Sequence, residues 1–354
     1  MFLKFQRHLR FCRSALSPSR AGLAAGCLAL WFALGCAQVP VASPRPAPVW
    51  PPAPADPAVI YERDLSAPVD IGVAPSLFSR MADWITGVSK DQGKLVNPFG
   101  LALDDAGDLL VADTGANAVC FLDFSRKQWR RWEAAGKIRF QSPVAVARRG
   151  STFFVADSAL GEVLAFDERG RLQFEITNGL ERPSGLALQG DRLYVTDAKQ
   201  HQVCLYDVVT GKFISRFGRR GGGPGEFNFP THISSDAAGL IYVTDSLNYR
   251  IQVFDARGRF QRSFGSAGDG PGHFSRPKGV ATDSAGHVYV VDAIFDNVQV
   301  FDDQGRLLLD WGQAGHAPGE FWLPNAIVIG RDNQIYVADS FNHRVQVFRY
   351  VKKP

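Results

Sequence analysis

Residues 241–255 read IYVTDSLNYRIQVFD, and residues 335–348 read IYVADSFNHRVQVF. Each is a run of alternating, β-branched and aromatic residues ended by Asp, a short polar loop, and a second run of the same kind. This is the pattern of two antiparallel strands joined by a loop. Working outward from Pro230, THISS forms a preceding strand and DAAG a turn, while after Asp255 DARG forms another turn and RFQRSFG a fourth strand. Gly in the fourth place of each D-x-x-G turn supplies the positive φ that a tight hairpin needs.

The same register recurs along the chain. Pro opens the first strand at Pro98, Pro143, Pro183, Pro230, Pro277 and Pro324, at spacings of 40 to 47 residues. Asp closes the second strand 14 or 15 residues later, at Asp113, Asp157, Asp197, Asp245, Asp292 and Asp339. Ten residues after each of the first five comes another Asp (123, 167, 207, 255 and 302), with Arg349 in the sixth place. Four strands per copy at this period predict an all-β fold, a six-bladed β-propeller of four-stranded antiparallel blades. The two quoted stretches, with the linkers GRRGGGPGEF (218–227), GSAGDGPGHF (265–274) and GQAGHAPGEF (312–321), closely resemble the NHL-repeat family. The resemblance covers residues 94–350. It is close in blades 4 to 6 and degenerate in blades 1 to 3, where VADSALGEVLAFD (155–167) lacks the Asn and Arg.

The sixth copy stops after its third strand at Val347-Phe348, and an unfinished blade leaves an open edge. The missing strand is expected from the N-terminal side, from Val59–Leu65 (VIYERDL), with Ser79–Gly87 as the rival. Leu77, Met81 and Trp84 repeat at i, i+4, i+7 behind Pro75-Ser76, so residues 76–86 are expected to form a short inserted helix instead. The propeller is thus assigned to residues 59–350.

Ahead of it, residues 1–20 carry Lys4, Arg7, Arg10, Arg13 and Arg20 and no acid, and residues 21–35 are wholly apolar. A basic segment followed by an apolar run too short to span a bilayer reads as a secretory signal, residues 1–35. Ala33-Leu34-Gly35-Cys36 resembles a bacterial lipobox, with Ala33 where that pattern usually has Leu. The resemblance implies acylation of Cys36, a membrane anchor, and, with Ala37 next, an outer-membrane lipoprotein facing the periplasm or cell surface. Simple cleavage nearby is the alternative. The Pro-rich residues 36–58 are expected to be a stiff, solvated spacer without packed structure. Without the signal, 34 basic residues face 35 acidic ones, so nothing in the charge draws the domain to nucleic acid.

Cys120 and Cys204 sit at the same place in blades 1 and 3, with a blade between them, and are expected to be buried free thiols. The six strand-ending Asp residues are expected to bind backbone N–H groups and fix the blades rather than hold metal. Arg250 and Arg344, with their Asn neighbours, should likewise serve the repeat through inter-blade hydrogen bonds. No catalytic motif stands in a suitable context.

Topology places the loops after the second strands, the linkers and the starts of the innermost strands on one face, the top. A ligand site is expected there. Candidates are His232, Lys278 and Asn325 at the channel mouth, with Tyr249, Phe295, His343, Arg219 and Arg220 in the surrounding loops. The other mouth positions are Phe99, Val144, Ser184 and Thr231. His201, His273, His287, His316 and His343 fall in turns or loops and are expected to be solvated. The expected function is a non-catalytic binding or scaffold module at the bacterial cell envelope, taking a protein, peptide or glycan and needing no cofactor. The alternative is a metal-dependent lyase or hydrolase. Its basis is His232, because peptidyl-amide and streptogramin lyases resemble this chain and carry histidines at comparable inner positions. A single His does not make their zinc site, and no metal ligand set is assigned.

Overall fold

The computed structural model describes residues 47–52, 58–74 and 93–351. The signal segment, Cys36, most of the spacer and the helix expected at 76–86 lie outside the described residues.

Six blades follow one another in the expected register. Blade 4 is typical, with Pro230–Ser235, Ile241–Asp245, Arg250–Phe254 and Phe260–Phe264 paired antiparallel in sequence order. The first strand of each blade lies beside those of its neighbours, and the first strand of blade 6 lies beside that of blade 1. The ring is therefore closed. Closure comes from the predicted segment: Val59–Leu65 pairs with Arg344–Tyr350, with Val59 opposite Tyr350 and Leu65 opposite Val345. Val59 and Leu65 are fully buried, and Asp64 receives Arg344 at 2.9 Å.

The spacer is less passive than its composition suggests. Val49–Trp50 forms a fifth strand on the closing strand, and the Trp50 ring meets Phe348 edge-on with centroids 5.9 Å apart. The expectation of no packed structure through residue 58 is corrected for these two residues. Trp50 brings enough apolar surface to hold a strand that the surrounding prolines do not favour.

The buried Asp residues explain how intact and degenerate repeats coexist. In blade 2, Asp157 accepts the backbone N–H groups of Gln141, Ser142, Ala159 and Leu160 at 2.7–3.1 Å. In blade 4, Asp245 accepts Asn228 N–H and the side chains of Asn248, Arg250 and Gln252. Asp339 in blade 6 repeats this with Trp322 N–H, Asn342, Arg344 and Gln346. Either donor set satisfies a carboxylate that is wholly removed from water. The free arms of Arg250 bind the carbonyls of Gly223 and Glu226, and those of Arg344 bind Ala317 and Glu320, tying each blade to its incoming linker.

The linkers are anchored by Phe227, Phe274 and Phe321, all fully buried. Gly218, Gly265 and Gly312 precede them at φ of 93°, 91° and 100°, and a Cβ there would lie 2.3–2.6 Å from the Phe ring. Only Gly meets both demands. Cys120 and Cys204 are buried free thiols, and burial pushes them up to about 12 and about 11.

Candidate functional site

One local irregularity is shared by all six blades. In each, the pairing between the first and second strands shifts by one residue just after the opening Pro. The bulged residues are Phe99, Val144, Ser184, Thr231, Lys278 and Asn325. A bulge re-aims its side chain relative to the regular pleat. Repeated six times around a closed ring, it sets a variable residue at the start of every innermost strand, next to channel-lining residues such as Gly100, His232 and Gly279.

The mouth is divided. Phe99 and Val144 make blades 1 and 2 apolar. Ser184 of blade 3 is satisfied by Pro230 O at 2.9 Å and Thr196 Oγ1 at 3.0 Å. Blades 4 to 6 contribute Thr231, Lys278 and Asn325, with His232 next to Thr231. Asn325 is 4% exposed, and neither its amide nitrogen nor its oxygen has a hydrogen-bond partner among the described residues. The same holds for Thr231 Oγ1 and for both ring nitrogens of His232. Five buried polar atoms on three residues thus lack a protein partner, and each would cost about 1–3 kcal/mol if left unmet.

His232 stacks on Phe99 from the opposite side of the ring, with centroids 6.3 Å apart and planes 24° apart. Burial, and then the positive charge of Lys278, push the imidazole down to about 3, so it is neutral at ordinary pH. Burial, then Arg276 and Arg182, push Lys278 down to about 8. No carboxylate is paired with the Lys278 ammonium among the described residues.

Below the Phe99–His232 stack, the channel holds a cavity of about 260 Å3, lined from Gly100 and His232 down to Leu103, Arg148, Leu188, Ser235 and Ile329. A second recess of about 910 Å3 shares that lower end and continues among the turns at Asp104, Asp108, Phe124, Arg331 and Tyr336. The roomier hollow is thus on the face opposite the expected one. Its central cation is already used: Arg148 bridges Asp104 and Glu168, each at 2.8 Å, and lies over Phe121 and Phe153. The sequence reading did not single out Arg148. Comparing it with Leu103, Leu188, Ser235, Thr282 and Ile329 at the same repeat position would have done so.

The structure sets Lys278 near enough to His232 for its charge to act on the imidazole, and places Asn325 at the position of Lys278 in the next blade; the other candidates are held by contacts of their own. Tyr249 and His343 occupy the same repeat position, the left-handed residue four places after the buried Asp, with φ of 55° and 57°. Tyr249 packs on the core between blades 4 and 5. His343 Nδ1 bonds Val96 O across the seam between blades 6 and 1. At the same position His201 Nδ1 accepts Phe229 N–H at 3.1 Å, and Asp296 accepts Leu323 N–H at 2.7 Å. These residues staple one blade to the next. His201 is only 8% exposed, which corrects the expectation that it is solvated; its ring is held edge-on against Phe229. His287 is also half-buried, with Nδ1 2.8 Å from Asp283. Phe295 is half-buried in its loop. Arg219 is exposed and pairs with Glu226 of its own linker at 2.8 Å, and Arg220 is exposed in that linker.

Chemically, the mouth offers hydrogen-bond donors and one cation around a neutral imidazole. Among the described residues, no three His, Cys, Asp or Glu side chains converge as a metal site.

Residues 177–239 and 235–293 match a family model described as a 6-bladed beta-propeller, and residues 321–348 match the NHL repeat. Among solved structures, an auxiliary nutrient binding protein from Bacteroides thetaiotaomicron is similar at TM-score 0.58 and 14% identity, over 74% of this chain and 71% of that one. Its counterpart from Bacteroides ovatus gives 0.56 and 16%, with 74% and 71% covered. Virginiamycin B lyase from Staphylococcus aureus gives 0.53 and 13%, with 72% and 96% covered. At such identities the likeness is one of fold.

Proposed function

Because the chain is a six-bladed β-propeller that matches the NHL repeat over residues 321–348, we propose that it is a non-catalytic binding module of the bacterial cell envelope, holding a protein, peptide or glycan at the top mouth of its channel. The observation that carries this reading is the cluster of unpartnered buried polar atoms on Thr231, His232 and Asn325 beside the unpaired Lys278. The six buried Asp residues are fully met by donors, and the other buried atoms without a partner among the described residues, such as Asn97 Oδ1, Ser234 Oγ and Trp311 Nε1, stand one to a residue, whereas His232 and Asn325 each leave two. A site that leaves donors and acceptors unsatisfied, on a rigid frame, is built to be completed by something else. A lone neutral His232 gives no set of ligands for a metal-activated water, which favours binding over a lyase or hydrolase reaction.

Affinity capture from envelope extracts tests this. The full chain should retain a specific ligand, and the His232→Ala/Lys278→Ala/Asn325→Ala variant, checked for an unchanged melt, should lose it at least about fivefold, as removing one buried polar contact already implies. Equal recovery by both proteins contradicts the reading. The envelope location rests on the basic and apolar N-terminus and on Cys36. Incorporation of a labelled fatty acid, abolished by Cys36→Ser, is the expected result; incorporation that survives the substitution rejects the anchor.

A further inference from the structure

We infer that the group recognised at the channel mouth is a carboxylate, held by Lys278 and by the amide, hydroxyl and imidazole donors of Asn325, Thr231 and His232. This rests on the channel-mouth reading above and adds the chemical class of what binds. Three adjacent blades supply the polar arc, and the charges that act on Lys278 are the two further cations Arg276 and Arg182. The arc therefore presents four donor groups, an ammonium, an amide N–H2, a hydroxyl and one imidazole N–H, against two acceptors, the Asn325 amide oxygen and the second ring nitrogen of His232, with no acidic side chain among them. An ionised carboxyl group is acceptor-only, with two oxygens and about four lone-pair sites, and it complements such a set. A neutral amide or hydroxyl ligand would bring donors of its own and leave the Lys278 charge uncompensated in a half-buried place.

A monoanion fits better than a phosphate dianion. Only one cation stands in the ring of bulged residues, whereas Arg276 and Arg182 are exposed outside it. The opposite arc, Phe99 and Val144, offers apolar surface to the carbon next to the carboxylate. The Lys278 ammonium, lowered to about 8, still carries its charge at neutral pH, and a bound carboxylate would raise it again.

The test uses the full chain, with sodium acetate as probe, acetamide as its uncharged counterpart and inorganic phosphate as the third arm. Binding is followed through the ring 1H–13C resonance of His232. The expected result is a saturable acetate shift and no saturable acetamide shift. Affinity should fall roughly tenfold or more in Lys278→Met and recover substantially in Lys278→Arg, as loss and return of a charge-assisted hydrogen bond require. Equal response to acetamide, or unchanged affinity in Lys278→Met, overturns the inference. Tighter saturation by phosphate than by acetate overturns it in favour of a phosphate site. If no probe moves His232 while envelope capture still depends on the triple alanine variant, the carboxylate assignment fails and the binding reading stands. If capture is also indifferent to that variant, both fail.

Discussion

Truncating Leu65 to alanine perturbs the closed ring at its seam with little disturbance elsewhere. Leu65 is the last residue of the closing strand, pairs with Val345, is 0% exposed, and packs with Ile71, Leu95, Leu101 and Val347. Large-to-small changes at such sites cost about 2–5 kcal/mol. That is a large share of the roughly 5–15 kcal/mol available to a folded domain. In a domain of this size the melting temperature should fall on the order of 5–10 °C. Leu308→Ala is the matched control: its side chain is 53% exposed on an outer strand, and its loss should cost less than about 0.5 kcal/mol. Removing every residue through 66 is harsher. It deletes both buried anchors of the strand, each contributing about 1.5–3 kcal/mol, and uncovers Val345, Val347 and Phe348 along an unpaired edge. Calorimetry should show a large shift for Leu65→Ala, a small one for Leu308→Ala and no cooperative transition for the truncated chain. Coincident melts for Leu65→Ala and Leu308→Ala, or a cooperative transition in the truncated chain, would falsify the closure argument.

Two further outcomes follow from buried polar groups. His232, lowered in the fold to about 3 and near 6.5 when unfolded, leaves the unfolded state binding the extra proton as pH falls. Its contribution is fully present above about pH 6.5 and is lost progressively below it, on the order of 2–3 kcal/mol by pH 4.5. The ring resonance should stay flat from pH 5 to 7, and a midpoint near 6.5 would show an imidazole open to water. In the buried Asp series, Asp292→Ala removes an acceptor of backbone N–H groups, whereas Asp245→Ala also strands Arg250, whose side chain is only 15% exposed. The second substitution should cost more, about 3–5 kcal/mol against about 2–3, by denaturant unfolding; the reverse order would contradict the distinction between the two kinds of blade.

Most of the architecture is legible in the sequence because a propeller writes its period into every copy. The opening Pro, the closing Asp and the D-x-x-G turns mark strand ends by local sterics and hydrogen bonding, and the incomplete sixth copy points to Val59–Leu65. Val49–Trp50 escapes such reading, since two paired residues in a Pro-rich run have no periodicity, and only the bulk of Trp50 hints at packing. The mouth residues can be located by their place after Pro, but their meeting cannot. That Phe99 stacks on His232 follows from blades 1 and 4 facing each other across six-fold geometry, together with a bulge that no composition signals. Tyr249 and His343 looked like loop residues free to bind a ligand. Their left-handed backbone turns the side chain onto the next blade, which a reading of exposure by loop position does not foresee.

The most direct test of the binding site is an experimental structure of the chain purified, with whatever it carries, from the cells that make it. Density reaching Lys278, Asn325 and His232 at the bulged ring is the expected result. Density seated instead among Asp104, Asp108 and Tyr336 on the turn-lined face, with the mouth residues bonded only to solvent, would contradict the account.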